Sequence, residues 1–426
     1  MEELLQYVWQ HRLWSAYGLK TNDGLDIKVI DPGLLNHDSG PDFFNAKIKI
    51  GDQLWVGNIE MHVRATDWKR HNHDKDKAYD SVILHVVEKD DCPVFRSNGE
   101  RIPQCELKVS PHFGERYRQL ILQDNELPCA SIIPELSKLD IVSWTEALAF
   151  ERLHGKSDRI INLLDLFSGS WEDVCYVTLA RNLGFGINGD AFERLARRTP
   201  LHLISKHSDS LLQIEALLLG QAGLLSDDVK ENDPYFQHLK TEYSFLANKF
   251  SLTPMEGCNW KFFRIRPQNF PYRRIAMLAQ LLHNGFRLFN DIVETEDVKK
   301  LRELFKIELT GYWATHFSFG KPSGVNSAAL SDSAIDIVLI NTVAPLLYVY
   351  GEKTGSYEMT ERAVALLEDI RPEKNSIVSH FGSHGLKADS ALTSQALIQL
   401  RREYCEPRKC LYCRIGHRLL SKAAME

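Results

Sequence analysis

The sequence predicts an α+β protein in which a mixed-sheet amino-terminal domain over residues 1–130 precedes a larger, mainly α-helical domain over residues 131–426. Three observations predict it. Short strand-like segments and turn residues alternate through the first 110 residues, helical periodicity dominates after about residue 135, and residues 82–87 form an almost wholly apolar run of strand length.

Taken in order, residues 2–14 set Leu4, Leu5, Val8, Trp9 and Leu13 near a 3.6-residue repeat, so an amphipathic helix is expected. Strands are expected at residues 25–30, 44–50 and 54–63, separated by the turn residues Asp31-Pro32-Gly33 and Gly51-Asp52. Residues 68–78 are polar and predict a helix with Asp67 as its N-cap, after which residues 82–87 supply a fourth strand. A buried strand beside a hairpin-connected trio implies a mixed sheet covered by helices.

Composition bounds the function. The 426 residues are 44% hydrophobic and 25% charged, which is ordinary for two or three globular domains with an ample core. Glu2 and Glu3 stand where a signal peptide would carry basic residues, and the longest apolar run, residues 337–350, is interrupted by Asn341 and Pro345, so a cytoplasmic protein without a membrane span is expected. Eight cysteines, three of them within residues 405–413, suit a reduced compartment with one metal knot. The net charge of −6 argues against an all-over nucleic-acid binder but leaves room for a local basic groove.

The chemistry concentrates in residues 38–64. Asp42 precedes one expected strand, and Glu60 and His62 lie inside the next, where one carboxylate from each of two adjacent strands can share a divalent cation. Ile59, Met61 and Val63 alternate with Glu60, His62 and Arg64, so one face is apolar and the other is either a site or simply solvated. Asp42 shares parity with Phe44, Ala46 and Ile48, so a bend after Pro41 is needed to turn it toward Glu60.

Pro41-Asp42 and Glu60-x-His62, in this order of elements, resemble the catalytic core of the P-D-(D/E)-x-K restriction-endonuclease-like superfamily over about the first 110 residues. The whole chain also resembles a bacterial family of uncharacterised proteins, a domain of unknown function. That resemblance is carried by Gly40 to Phe43, Gly57 to Val63, Asp67-Trp68 with His71 and His73, Leu84 to Val87, and Cys405, Cys410 and Cys413. The nuclease resemblance implies Asp42 and Glu60 as metal-binding carboxylates, with a further acid from the first helix, Glu2 or Glu3. It puts His62 where the pattern has lysine, so His62 is a third ligand, a general base, or a cation if a neighbour raises its pKa.

Downstream, His71, His73 and His85 add candidate ligands, and a mixture of imidazole and carboxylate suits manganese, iron or zinc more than magnesium. The alternative for residues 71–76 is a solvated helix face, and for His85 a satisfied core histidine. Cys405, Cys410, Cys413 and His417 could bind a structural zinc ion, with Cys258, His380 or His384 as substitutes for His417, or the thiolates could hold an iron–sulfur cluster; the alternative is an inert reduced cluster. Arg264, Arg266, Arg273 and Arg274, interleaved with aromatic residues, join Arg64 as candidate nucleic-acid contacts, or else rim a helical core. The expected function is metal-dependent hydrolysis of DNA or RNA, with magnesium, manganese or zinc at Asp42, Glu60 and His62. The alternatives are a non-catalytic nucleic-acid-binding protein with a degenerate nuclease core, and a metallohydrolase of another substrate.

Overall fold

The computed structural model describes residues 2–14, 18–36, 38–122, 127–226, 233–256, 260–283, 287–323 and 328–425. It has two compact units: Met1–Ile141 with His384–Leu386 and Leu400–Glu426, and Val142–Ser383 with Lys387–Gln399.

The first unit opens with helix α1, Glu2–Gln10, whose acidic first turn complements the helix dipole and whose Leu4, Leu5, Tyr7, Val8 and Trp9 are buried. The helix stops earlier than its apolar repeat suggests, and Arg12 just beyond it is left-handed at φ 54°. A seven-stranded sheet follows: β1 Leu19–Lys20, β2 Asp26–Asp31, β3 Leu34–Leu35, β4 Phe43–Ile50, β5 Gln53–Arg64, β6 Val82–Lys89 and β7 Gln104–Glu106. Its order is β1-β2-β4-β5-β6-β7, with β3 paired to β4. Strands β2, β4 and β5 form the expected antiparallel trio, and β6 lies parallel to β5, so the sheet is mixed. The three short strands β1, β3 and β7 carry too few residues to show a period of two.

One face of the sheet packs Phe43, Ala46, Ile48, Ile59, Met61, Leu84 and Val86 against α1 and against helix α2, Pro111–Leu122. Leu411 and Leu420 enter the same core. That packing explains why residues 400–426, expected to end the helical domain, belong to the first unit instead. The other face carries a smaller core of Ala65, Trp68, Val82, Val87, Val94 and Ile102.

A β-bulge supplies the turn that Asp42 requires. Phe43 pairs with Ile59 and Ala46 with Gly57, so β4 spends three steps where β5 spends two. Asn45 takes the left-handed conformation at φ 57°, and its N–H donates to Asn58 Oδ1 at 3.2 Å. Phe43 thereby faces the core in register with Ala46 and Ile48, and Asp42 is released from the parity of those residues.

The second unit is built from helices, among them Trp171–Leu183, Leu211–Gln221, Pro234–Phe250, Pro271–His283 and Tyr357–Asp369. Gly220 allows close crossing: a Cβ there would lie 2.1 Å from the Tyr243 ring. The apolar run around Asn341 and Pro345 does not end in a break. Asp332–Val338, a π turn over Leu339–Val343 and Ala344–Thr354 join end to end, and the π turn absorbs the irregularity near Pro345. By length and composition Asp332–Thr354 would suffice to cross a membrane, and 78% of its most apolar window is buried within the protein.

Candidate metal centre

Asp42 and Glu60 meet where β4 begins and β5 runs into the buried part of the sheet. The Asp42 N–H donates to Glu60 Oε2 at 3.2 Å, and the Met61 N–H donates to Asp42 Oδ2 at 2.8 Å. Gln6 of α1 donates to Asp42 Oδ1 at 2.9 Å. Sequence reasoning missed Gln6, since nothing in the spacing of α1 marks a polar residue that reaches a strand start. Glu2 lies within electrostatic reach of His71, Asp42 and Glu60. Glu3 instead lines a cavity of about 330 Å³ together with Gln6, Tyr7, His11, Arg414 and His417.

The histidines converge because the segment after β5 is not the helix that its polarity predicts. Asp67–Arg70 makes a single helical turn and Asn72 is left-handed at φ 61°, followed by 3-10 turns at His73–Lys75 and Lys77–Tyr79. Asp67 is not an N-cap: its carboxylate accepts from the Arg64 N–H at 3.2 Å and pairs with Arg70 at 3.1 Å. Residues 71–76 therefore do not form one solvated face. The reversal at Asn72 leaves His71 exposed and turns His73 inward, where its ring stacks on Tyr79 at 3.7 Å and meets Trp68 edge-on.

His62 is the hub. Its Nδ1 lies 2.9 Å from His85 Nε2 and its Nε2 lies 3.1 Å from His71 Nδ1. Ligand nitrogens of His62, His71 and His73 all fall within 4.8 Å of one another. Glu60 Oε1 adds an oxygen 3.3 Å from His73 Nε2 and 3.6 Å from His62 Nε2. His85, paired in register with Glu60 and 0% exposed, stands behind this set and engages the far nitrogen of His62. It orients His62 and is no member of the converging set, in the way that a second partner usually fixes a ligating imidazole. Both Asp42 oxygens are engaged by Gln6 and Met61, so Asp42 braces Glu60 in this geometry.

Electrostatics separates the roles. Burial, with Glu60 beside it, pushes Asp42 up from its ordinary 3.8 to about 7. Burial raises Glu60 to about 8, and Glu2 adds to the shift. Burial and the neighbouring His85, His73 and His71 push His62 down to about 2, and burial takes His85 to about 3. His62 is therefore a neutral imidazole at pH 7 with a lone pair to offer, and it does not reproduce the positive charge of a lysine. Three converging imidazoles beside a carboxylate oxygen fit a cation of the zinc, manganese or iron type better than magnesium.

The remaining expected residues are spread. Arg64, Arg264 and Arg266 are exposed. Arg273 and Arg274 are 1% and 6% exposed in the core of the second unit, so they are not surface phosphate contacts. Arg274 donates to Asn269 at 2.5 Å and sits 4.2 Å from the Phe185 ring, while Arg273 covers Phe317 at 4.7 Å. Helical periodicity over Pro271–His283 places them inward, and their aromatic neighbours make the burial tolerable. His417 leaves the cysteines: its Nδ1 lies 2.5 Å from the Tyr7 hydroxyl, and its ring lies against His11 at 4.7 Å. Cys258 falls outside the described residues. Among the described residues Cys129 lies within electrostatic reach of Cys405, Cys410 and Cys413, which no local spacing could have indicated.

A mixed sheet that carries a carboxylate and histidine cluster, joined in one chain to a long helical unit, defines the structural class. The chain belongs to the family described as "Protein of unknown function (DUF2851)", whose model matches residues 2–376. That span includes Asp42, Glu60, the histidines and Cys129, and it ends before Cys405, Cys410 and Cys413. No curated protein and no solved structure matches the chain.

Proposed function

We propose that this protein is a metal-dependent hydrolase of nucleic-acid phosphodiester bonds. The observation that carries the reading is the meeting of Asp42 and Glu60 across β4 and β5, with three imidazole nitrogens beside them. The sheet supports it: α1, the antiparallel trio β2, β4 and β5, and the parallel β6 are the elements expected of a restriction-endonuclease-like core, with the short β1, β3 and β7 added to them. In this reading His62, His71, His73 and Glu60 hold the cation, and Asp42 braces Glu60. When bound, the cation supplies Lewis-acid polarisation of the phosphate and an activated water. His85 keeps the Nε2 of His62 turned toward the ligand set. Exposed Arg64 and Arg70, on either side of Asp67, supply positive charge for a phosphate backbone.

One observation favours a second reading. The ligand set is mainly histidine, and no lysine stands in the described cluster, which suits a metallohydrolase acting on a substrate other than nucleic acid.

The test is wild type against Glu60→Gln, with single- and double-stranded DNA and RNA and a small phosphodiester, across Mg²⁺, Mn²⁺, Zn²⁺ and chelator. Metal-dependent cleavage of nucleic acid by wild type alone is expected. Turnover of the small ester without nucleic-acid cleavage favours the second reading. Salt-sensitive binding that never leads to cleavage, equal in the variant, overturns both in favour of a binding protein with a degenerate core.

A further inference from the structure

We infer that Cys129, Cys405, Cys410 and Cys413 together form a four-thiolate metal site that clamps the carboxyl-terminal segment onto the first unit. This site is separate from the histidine centre and stands whether or not the protein is a nuclease. Two distant stretches of chain build it. Cys129 precedes the 3-10 turn Ala130–Glu135, which packs on the last helix, Arg414–Met425. Cys405 closes the π turn Leu400–Cys405, Cys410 opens the 3-10 turn Cys410–Tyr412, and Cys413 stands just before the last helix.

The backbone between these cysteines is pinned. Arg408 N–H donates to Cys405 O at 3.2 Å, Lys409 N–H to Tyr404 O at 2.8 Å, and His417 N–H to Cys413 O at 2.8 Å. Gly416 permits the closest approach: a Cβ there would stand 2.1 Å from the Cys410 carbonyl oxygen. Cys129 and Cys410 pack against the same core as Leu411, and none of the four cysteines is held in a disulfide. Cys413 neighbours each of Cys129, Cys405 and Cys410, and Cys129 neighbours Cys405.

Four cysteines are a complete donor set for a soft metal, zinc or an iron–sulfur cluster. Among the described residues the three histidines alone place three ligand atoms within 4.8 Å of one another. The sulfurs thus stand wider than one zinc ion, with Zn–S near 2.3 Å, would hold them. Zinc would have to draw them together, whereas a polynuclear cluster spans the wider spacing.

The full chain carrying His73→Ala, to remove zinc held at the histidine centre, is purified without oxygen and assayed for zinc, iron, acid-labile sulfide and visible charge-transfer absorption. Zinc at one per chain that Cys129→Ser removes, or iron with matching sulfide and visible absorption, supports the site and identifies its occupant. Adding Cys129→Ser is expected to lower occupancy roughly tenfold or more, while Cys92→Ser and His417→Gln keep it. Full occupancy in Cys129→Ser, or no metal after reconstitution with either zinc or iron and sulfide, overturns the inference. If Cys129→Ser does not fold, alkylation of the otherwise intact chain decides: Cys129, Cys405, Cys410 and Cys413 should be protected together and become reactive together when chelator is added. Reaction of Cys129 at the same rate with and without chelator overturns it.

Discussion

Asp42 donates its backbone N–H to the Glu60 carboxylate, and its own carboxylate accepts the N–H of Met61 next along β5, so the two acids are clamped reciprocally. Two buried carboxylates in such proximity do not both ionise readily in the absence of a cation. This relationship makes the first unit responsive to pH and to metal.

Both acids have folded pKa values above their ordinary ones of 3.8 and 4.5, at about 7 and about 8. The folded state then binds more protons than the unfolded one between those limits, and stability present at low pH is lost as pH rises through 7 to 8. His62 and His85, lowered from 6.5, act oppositely, contributing stability above 6.5 that is lost as pH falls toward 3 and 2. Between pH 7 and 8.5 the carboxylates therefore dominate. In chelator, the melting temperature should fall across that window by about 1–3 °C. Saturating Mn²⁺ or Zn²⁺ should flatten the profile, as calorimetry would read.

Glu60→Gln should lower metal-dependent turnover by about 10² to 10³-fold, since it removes the charge of the carboxylate whose oxygen lies beside His62 and His73. Asp42→Asn should cost less, because the carboxamide it introduces keeps an acceptor for the Met61 N–H. Steady-state kinetics of the two variants at fixed metal separates the roles, and equal losses would contradict them.

His73→Ala removes a nitrogen of the converging set, whereas His85→Ala removes only the partner of His62 Nδ1. Both should weaken metal binding, His85→Ala by roughly 10 to 100-fold and His73→Ala by more. Isothermal titration with Zn²⁺ ranks them.

Gly57→Ala should destabilise the sheet by about 1–3 kcal/mol. A Cβ there would lie 2.4 Å from Ile83 Cγ2 and 2.8 Å from Ser81 O, where β5 meets β6. Denaturant unfolding measures the loss.

Arg264→Ala and Arg266→Ala alter exposed cations and should each reduce the salt slope of nucleic-acid binding by about one. Arg274→Ala should leave that slope unchanged and lower stability by about 1–3 kcal/mol, because its guanidinium is spent on Asn269 and Phe185. Affinity measured against salt, beside a melting curve, distinguishes the two kinds of arginine.

Much of the sheet was legible because a strand's period of two is a local property of the backbone. The alternation through residues 59–64 put Glu60 and His62 on one face, and the apolar run at 82–87 marked the buried parallel strand; both stand in the structure. The short strands were not legible, since two or three residues carry no period. Nor was the end of the supposed helix after Asp67, because a single left-handed residue, Asn72, overrides a polar pattern that suits a helix face.

By itself, the sequence determined the class of fold, the strands that carry the acids and the identity of the reactive side chains, because hydrophobic periodicity and residue chemistry are written locally along the chain. Only the tertiary structure decided which of those side chains meet. The bulge at Asn45 turned Asp42 toward Glu60, and the reversal at Asn72 brought in His73. Burial of Leu411 and Leu420 against the sheet core carried three cysteines to Cys129, and burial of the Pro271–His283 face took Arg273 and Arg274 from the surface. The physical reason is that contacts between distant residues are selected by the free energy of burying apolar surface and satisfying backbone hydrogen bonds over the whole fold, and no window of local sequence contains that balance.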